Sequence, residues 1–283
     1  MTKTFQQINS SDDNSLMIVD SLNLAFRYKH SGAVDFATDY MRTVDSLRKS
    51  YKTNKLIIAG DMGASSYRKT LYPAYKQNRK DKYAEQTEAE KEAFEAFFAE
   101  VQDILSQYEV ENKYQVARFQ GVEADDIAAY IVSKRKKFDL SQIWLISSDK
   151  DWDLLVCPGV SRFSYVTRKE ITHDNWHEHY DFDADSYISI KCLMGDSGDN
   201  VPGVPGVGPK KAASLVEEYG STYDIIAALP ISSKYKYIAN LNSFGADALM
   251  LNYQLMDLVT HCQDALGYEN CKKLDAMLEN YLG

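Results

Sequence analysis

The sequence predicts an α/β fold, with a mostly parallel central sheet and flanking helices. Three observations carry that prediction. Four short apolar runs, Leu16–Val19, Leu56–Ala59, Tyr114–Phe119 and Ile143–Ile146, are bounded by polar residues and separated by helical stretches, the alternation that βαβ units produce. An acid follows each run: Asp20, Asp61 after Gly60, Asp149 after Ser147-Ser148, and Glu123 beyond Gly121. Sites in open α/β sheets form at the carboxyl ends of the strands, so these acids are expected on one rim. Finally, 283 residues with 45% hydrophobic and 12% aromatic side chains match a globular chain, one that buries about three-quarters of its unfolded surface.

Taken in order, residues 1–14 are polar and read as a flexible tail. They hold no apolar core of a secretory signal, and no apolar run approaches the ~20 residues that span a membrane. Thr87–Tyr108 predicts a long helix, in which Phe94, Phe97, Phe98, Val101, Ile104, Leu105 and Tyr108 form an apolar stripe for core packing. Glu88, Glu90 and Glu92 crowd its first turns, where the helix dipole favours negative charge, and need no chemistry. Glu123-Ala124-Asp125-Asp126 opens another helix, and Lys134-Arg135-Lys136-Lys137 closes it with cations suited to a C-terminus. From about Asp185 the chain reads as mostly helical. Ser186–Met194 and Pro209–Tyr219 are helices, with Pro209 suited to a first turn. Between them, Gly195–Gly208 is a Gly- and Pro-rich connection whose amides can approach a ligand. Tyr223–Tyr281 reads as further helices with no chemical cluster.

Several chemistries fall away on spacing. Cys157, Cys192, Cys262 and Cys271 form no Cys-x-x-Cys pair, so they read as reduced thiols rather than a zinc site or disulfide framework. His173, His177 and His179 lack a further well-spaced ligand for a transition metal. Asp149, Asp151 and Asp153 start like an EF-hand, but Leu154 stands where the Gly is required and Val160 where the Glu is required. Gly203–Gly208 has P-loop glycine spacing, yet Pro209 replaces the Lys. Gly206-Val207-Gly208 fails the dinucleotide fingerprint at Lys211.

Nine carboxylates remain: Asp20, Asp61, Glu123, Asp125, Asp126, Asp149, Asp151, Asp196 and Asp199. So many converging acids would repel one another unless cations were bound, and hard oxygen ligands point to Mg²⁺ or Mn²⁺ rather than zinc. Two such ions about 4 Å apart suit an in-line phosphoryl displacement, with some acids bound through water. Tyr67–Lys82 carries Arg68, Lys69, Lys76, Arg79, Lys80 and Lys82 against Asp81, with Tyr67, Tyr72 and Tyr75 interleaved. That is the composition of a single-strand nucleic-acid surface, and equally of a solvated basic loop. Gly203–Ala212 is a hairpin feeding a helix N-terminus, where free amides, Lys210 and Lys211 favour a phosphate. Two lysines at a helix start oppose the dipole, and a broken local rule points to function.

Met-Ile-Val-Asp (17–20), Gly-Asp (60–61), Gly-Val-Glu-Ala-Asp-Asp (121–126), Ser-Ser-Asp-Lys-Asp-Trp-Asp (147–153) and the run from Met194 to Ala212 together resemble the structure-specific 5′-nucleases. That family includes flap endonucleases and the 5′-nuclease domain of bacterial DNA polymerase I. Without a polymerase region, and with the sequence around Tyr72–Arg79, the chain is most similar to stand-alone flap endonucleases of tailed bacteriophages. The resemblance implies a nuclease core over 15–185 with a helical arch at about 63–90. It further implies a helix–hairpin–helix-type region over 186–283, with C-terminal helices packed on the core. All nine acids become metal-site residues for two Mg²⁺ ions, with Mn²⁺ able to substitute. Lys76 and Arg79 match the catalytic basic residues that engage the scissile phosphate, with Tyr75 stacking on a base. Arg27 matches a DNA-contacting position, and Gly206, Gly208, Lys210 and Lys211 match a duplex clamp that in relatives also binds K⁺. The implied substrate is DNA with a 5′ single-stranded flap or end beside a duplex, cut by a monomer at flaps, ends and branched junctions, with 5′-3′ exonuclease activity in replication. The expected location is the cytoplasm, the host's if phage-encoded, without a membrane partner. Two alternatives stand beside it: an exonucleolytic RNase H-type enzyme removing RNA primers, and a non-catalytic DNA-junction binding module.

A net charge of −9 fits this picture once its origin is traced. Setting the nine site acids aside from the 41 Asp+Glu leaves as many acids as Lys+Arg, 32 of each. The excess negative charge belongs to the chemistry, and the basic segments are free to meet phosphates.

Overall fold

The computed structural model describes residues 14–31, 35–111 and 113–283; the expected N-terminal tail, Asn14 apart, lies outside them. In chain order the elements are β1 (Ser15–Asp20), α1 (Ser21–Ser31), α2 (Ala37–Ser50), β2 (Lys55–Met62), α3 (Ser66–Leu71), α4 (Gln77–Ala84) and α5 (Glu88–Glu111). Next come β3 (Gln115–Gln120), α6 (Ala124–Ser133), β4 (Gln142–Ile146), β5 (Val160–Phe163) and β6 (Glu170–Ile171). The rest is helical: α7 (Tyr187–Met194), α8 (Pro209–Tyr219), α9 (Thr222–Ala228), α10 (Lys236–Met256, broken at Gly245), α11 (Leu258–Leu266) and α12 (Tyr268–Leu282). Two compact units emerge, each discontinuous in sequence. One comprises the described residues up to Tyr67, Gln86–Asn175 and Leu258–Gly283; the other comprises Arg68–Glu85 and Trp176–Asp257.

The first unit is built on a six-stranded sheet in the order β3-β2-β1-β4-β5-β6. All its pairings are parallel except β5 with β6. Successive residues of β1 point to opposite faces. Leu16 and Ile18 join Ile57, Ala59 and Leu145 in a core closed by α6, α11 and α12. Met17 and Val19 join Leu56, Ile58, Trp144 and Ile146 in a second core closed by α1, α2 and α5. Both faces are covered, so the strands read as continuous apolar runs rather than alternating ones. Those runs became β1 to β4. The sheet extends further, through β5 and β6, which the sequence does not announce. They have only four and two residues, and β5 places a buried arginine, Arg162, in its middle.

Helix α5 begins where expected. Thr87 accepts from the Glu90 amide (3.3 Å), and Glu90 accepts from the Thr87 amide (2.8 Å), the reciprocal arrangement of a capping box. Its stripe is buried at Phe97, Val101, Ile104, Leu105 and Tyr108. The strand order turns at β1, with β2 on one side and β4 on the other. The gap between the ends of β1 and β4 is therefore the switch point at which open α/β sheets build sites.

In the second unit, α8 starts at Pro209, as read from the sequence, and Gly208 is its N-cap. The connection before it is held tightly. A Cβ on Gly203 would fall 1.9 Å from the Met194 carbonyl oxygen, so only glycine fits there. Val204 and Val207 turn inward to pack with Ile190, Leu193 and Leu215. Arg68, counted with the basic surface on composition, is instead 3% exposed. Its Nε donates to the Leu255 carbonyl at 2.8 Å, an internal contact rather than one with solvent. All four cysteines are free thiols.

Candidate metal centre and nucleic-acid interface

Seven of the nine acids lie in the first unit, at the carboxyl ends of β1, β2 and β4 and the start of α6. Asp20 ends β1 and is 5% exposed. Its Oδ1 accepts from the Asn23 amide (3.1 Å) and its Oδ2 from the Ser147 hydroxyl (2.8 Å). The same Ser147 oxygen accepts from the Asp149 amide (3.1 Å), which ties the end of β1 to the loop after β4. Asp149 in turn accepts from the Asp151 amide (2.9 Å) and caps a 3₁₀ turn over Lys150–Leu155. Asp61, on β2, accepts from the Ala124 amide at the start of α6 (3.0 Å). Glu123 is the N-cap of α6 and buried, Asp126 is fully buried, and Asp125 accepts from the Trp152 indole (2.6 Å).

The electrostatics of this rim favour a cation. Burial, together with the neighbouring negative charges of Asp61 and Asp149, pushes the Asp20 carboxyl up to about 8. The donors holding Asp20 are a backbone amide and a hydroxyl, neither of which brings a full positive charge. A divalent cation would supply it, and an all-carboxylate oxygen set suits a hard ion. Among the described residues no three His, Cys, Asp or Glu side chains enclose an ion by themselves.

Asp196 and Asp199 lie in the second unit, on the connection after α7. Asp196 Oδ1 accepts from the Gly198 (2.8 Å) and Asp199 (3.1 Å) amides, and Lys191 Nζ lies 3.6 Å from Oδ2. Asp199 collects the basic segment: Arg79 Nη2 at 2.5 Å, Lys76 Nζ at 3.6 Å and the Tyr75 hydroxyl at 2.8 Å. Lys76 holds a left-handed backbone (φ 54) as the N-cap of α4, and its amide donates to the Asp199 carbonyl (2.8 Å). The expectation for Tyr75 needs correction. Its ring is 3% exposed and packs with Cys192, Val201, Leu255 and Met256, so it faces protein rather than a base.

In the hairpin, Val204 and Val207 are buried while Gly206, between them, and Gly208, just after Val207, are exposed, so their backbone faces outward. Gly206 takes φ 81, a conformation that glycine adopts freely. Lys211 Nζ donates to the Gly206 carbonyl (2.7 Å), and Lys210 is exposed beside it. Arg27, exposed on α1 in the first unit, hydrogen-bonds the Tyr165 hydroxyl, with its guanidinium carbon 4.4 Å from that ring's centroid. Sequence reasoning missed the roles of Ser147, Trp152 and Tyr165, which tie site residues together. Ser147 and Trp152 stood inside a quoted motif, but nothing in their spacing shows what they bond.

The family model for the 5′-3′ exonuclease N-terminal resolvase-like domain matches residues 15–181. That for the 5′-3′ exonuclease C-terminal SAM fold matches residues 182–277. The flap endonuclease of Escherichia phage T5 is 41% identical over 279 residues, covering 98% of this chain and 94% of that one. Flap endonuclease Xni of Shewanella oneidensis is 26% identical over 254 residues, covering 87% of this chain and 90% of its own. The phage T5 protein crystallised with metal ions matches with a TM-score of 0.89 at 40% identity, over 95% of this chain and 100% of that one. Its complex with DNA and metal ions matches with a TM-score of 0.88 at 41% identity, over 95% and 99%. Among the described residues, no helix is long and apolar enough to cross a membrane. With both family models matched in order from residue 15 to residue 277, the chain belongs to the 5′-3′ exonuclease family.

Proposed function

We propose that this nuclease is a structure-specific 5′ nuclease that hydrolyses DNA phosphodiesters at 5′ flaps, ends and branched junctions, with 5′-3′ exonuclease activity, in replication. The observation that carries the reading is the rim at the ends of β1, β2 and β4, where Asp20 is buried among like charges. Asp20, Asp61, Glu123, Asp125, Asp126, Asp149 and Asp151, with Asp196 and Asp199, would hold two Mg²⁺ ions, Mn²⁺ substituting. Bound there, the ions supply charge to the phosphoryl oxygens and acidity to an attacking water. The chain's own residues hold the rest of the geometry. Ser147 and the Asn23 amide fix the Asp20 carboxylate, and Trp152 fixes Asp125. Lys76 and Arg79 offset charge on the scissile phosphate in exchange for their contacts with Asp199. The products are a 5′-phosphate and a 3′-hydroxyl.

The domain reading is a nuclease core over 15–185 with an arch at about 63–90, and a helix–hairpin–helix-type region with C-terminal helices over 186–283. Support for the clamp is the outward backbone of Gly206 and Gly208 beside Lys210 and Lys211, where a duplex phosphate, and a monovalent cation such as K⁺, would sit. Arg27 would add a contact to DNA. We take the enzyme to act as a monomer in the cytoplasm, the host's if phage-encoded. One assay tests the catalytic reading: a 5′-flap DNA incubated with the protein in Mg²⁺ and in EDTA. Cleavage is expected only with Mg²⁺. Tight binding without cleavage in either condition would leave a junction-binding module instead.

A further inference from the structure

We propose that the buried Arg162–Asp153 pair is a positioning element for the acids that follow β4, and through them sets the affinity for divalent cations. The proposal rests on the metal-site reading above. Arg162 lies on β5 and is 3% exposed; Asp153, in the 3₁₀ turn, is 1% exposed. The guanidinium grips both carboxylate oxygens, with Nε on Oδ1 and Nη2 on Oδ2 at 2.8 Å. Its remaining arm, Nη1, donates to the Ser147 carbonyl at 3.0 Å. Ser147 and Asp153 are the two ends of the loop that carries Asp149 and Asp151. One guanidinium therefore fixes both ends of that loop.

The link continues to the rim, because the Ser147 hydroxyl holds Asp20 Oδ2 and accepts from the Asp149 amide. A 3₁₀ turn has poor internal hydrogen bonding and takes its shape from outside. Two anchors supply that here: Trp152, fully buried, and Asp153 on Arg162. An apolar pair of similar volume could fill the same space, often without loss of stability. It could not reach the Ser147 carbonyl or dictate a planar orientation, which a bidentate fork does. Neither side chain is exposed enough to meet substrate, so the pair acts through the ligands it orients. Partners behind metal ligands commonly govern affinity about ten- to a hundred-fold.

The test titrates Mn²⁺ alone into the parent chain, Arg162→Lys, and Arg162→Met combined with Asp153→Leu, by calorimetry without DNA. Thermal melts establish folding, and cleavage assays give the Mg²⁺ midpoint with separate kcat and KM. Mn²⁺ affinity is expected to fall about ten-fold or more in both variants, with the Mg²⁺ midpoint rising to match and KM for DNA within two-fold. Arg162→Lys keeps the charge but loses the fork, and it carries the same expectation if the double variant does not fold. A pair that only supports stability would lower the melting temperature and leave the Mn²⁺ midpoint unchanged, which overturns the proposal. Absence of Mn²⁺ binding by the parent overturns the metal-site reading and this one together; normal parent binding with unchanged variants overturns this one alone.

Discussion

Asp20 in the first unit and Asp199 in the second are both proposed metal ligands, yet they sit in opposite electrostatic company. Asp20 is held by a backbone amide and a hydroxyl, with Asp61 and Asp149 as negative neighbours. Asp199 is held by Arg79, Lys76 and the Tyr75 hydroxyl. A carboxylate of the first kind lacks positive charge from the donors that hold it, which a bound cation would supply. One of the second kind already has the chain's own cations, and those cations must change partners to meet a phosphate. On the proposed function, the rim would receive metal and the basic segment would exchange its contacts with Asp199 for a phosphate.

The comparison can be broken most decisively at the rim. Asp149→Asn with Asp151→Asn should lower cleavage by about 10³-fold or more, since even one electrostatic stabiliser is commonly worth ~10²–10³. DNA binding measured by gel shift should stay largely intact, and undiminished cleavage would remove these acids from the site. On the exchange side, Lys76→Ala should lower kcat by about 10²-fold, with duplex affinity nearly unchanged. A loss confined to affinity would make Lys76 a binding residue. Lys210→Ala with Lys211→Ala should do the reverse, weakening binding and reducing the slope of log affinity against log salt by about 2, at unchanged saturated rate. An unaltered slope would take the hairpin out of contact with phosphates.

The smallest effect concerns stability. Burial and the negative charges of Asp61 and Asp149 push the Asp20 carboxyl from the ordinary carboxylate value of 3.8 up to about 8 in the folded chain. The native state therefore holds a proton that the unfolded state has released between those values, and stability falls as pH rises through that window. In EDTA, melting temperature should drop from pH 5 to pH 8.5, and Asp20→Asn should flatten the drop by a few degrees. Mg²⁺ should flatten it as well. An identical pH profile in the parent and Asp20→Asn chains would show that the rim does not strain this carboxylate.

How much could be read without the structure follows from how each residue is satisfied. Runs such as Leu16–Val19 and Ile143–Ile146 were legible because a parallel sheet covered on both faces demands continuous apolar strands. The start of α8 was legible because Pro209 acts locally, fixing its own backbone for a first helical turn. β5 was hidden by Arg162, whose charge is answered by Asp153, a partner no periodicity reveals. Tyr75 and Arg68 read as surface for the same reason. Their partners, Asp199 and the Leu255 carbonyl, lie more than a hundred residues along the chain.

The discontinuity of the first unit bears on how the molecule is made. The sheet face formed by Leu16, Ile18, Ile57 and Leu145 is closed in part by Leu258, Cys262, Leu274 and Leu278. During synthesis from the N-terminus, the strands and their acids exist well before the helices that cover them. That half of the core stays incompletely covered until residues 258–282 have emerged, so the first unit matures late and β1 is among its last strands to be fully buried.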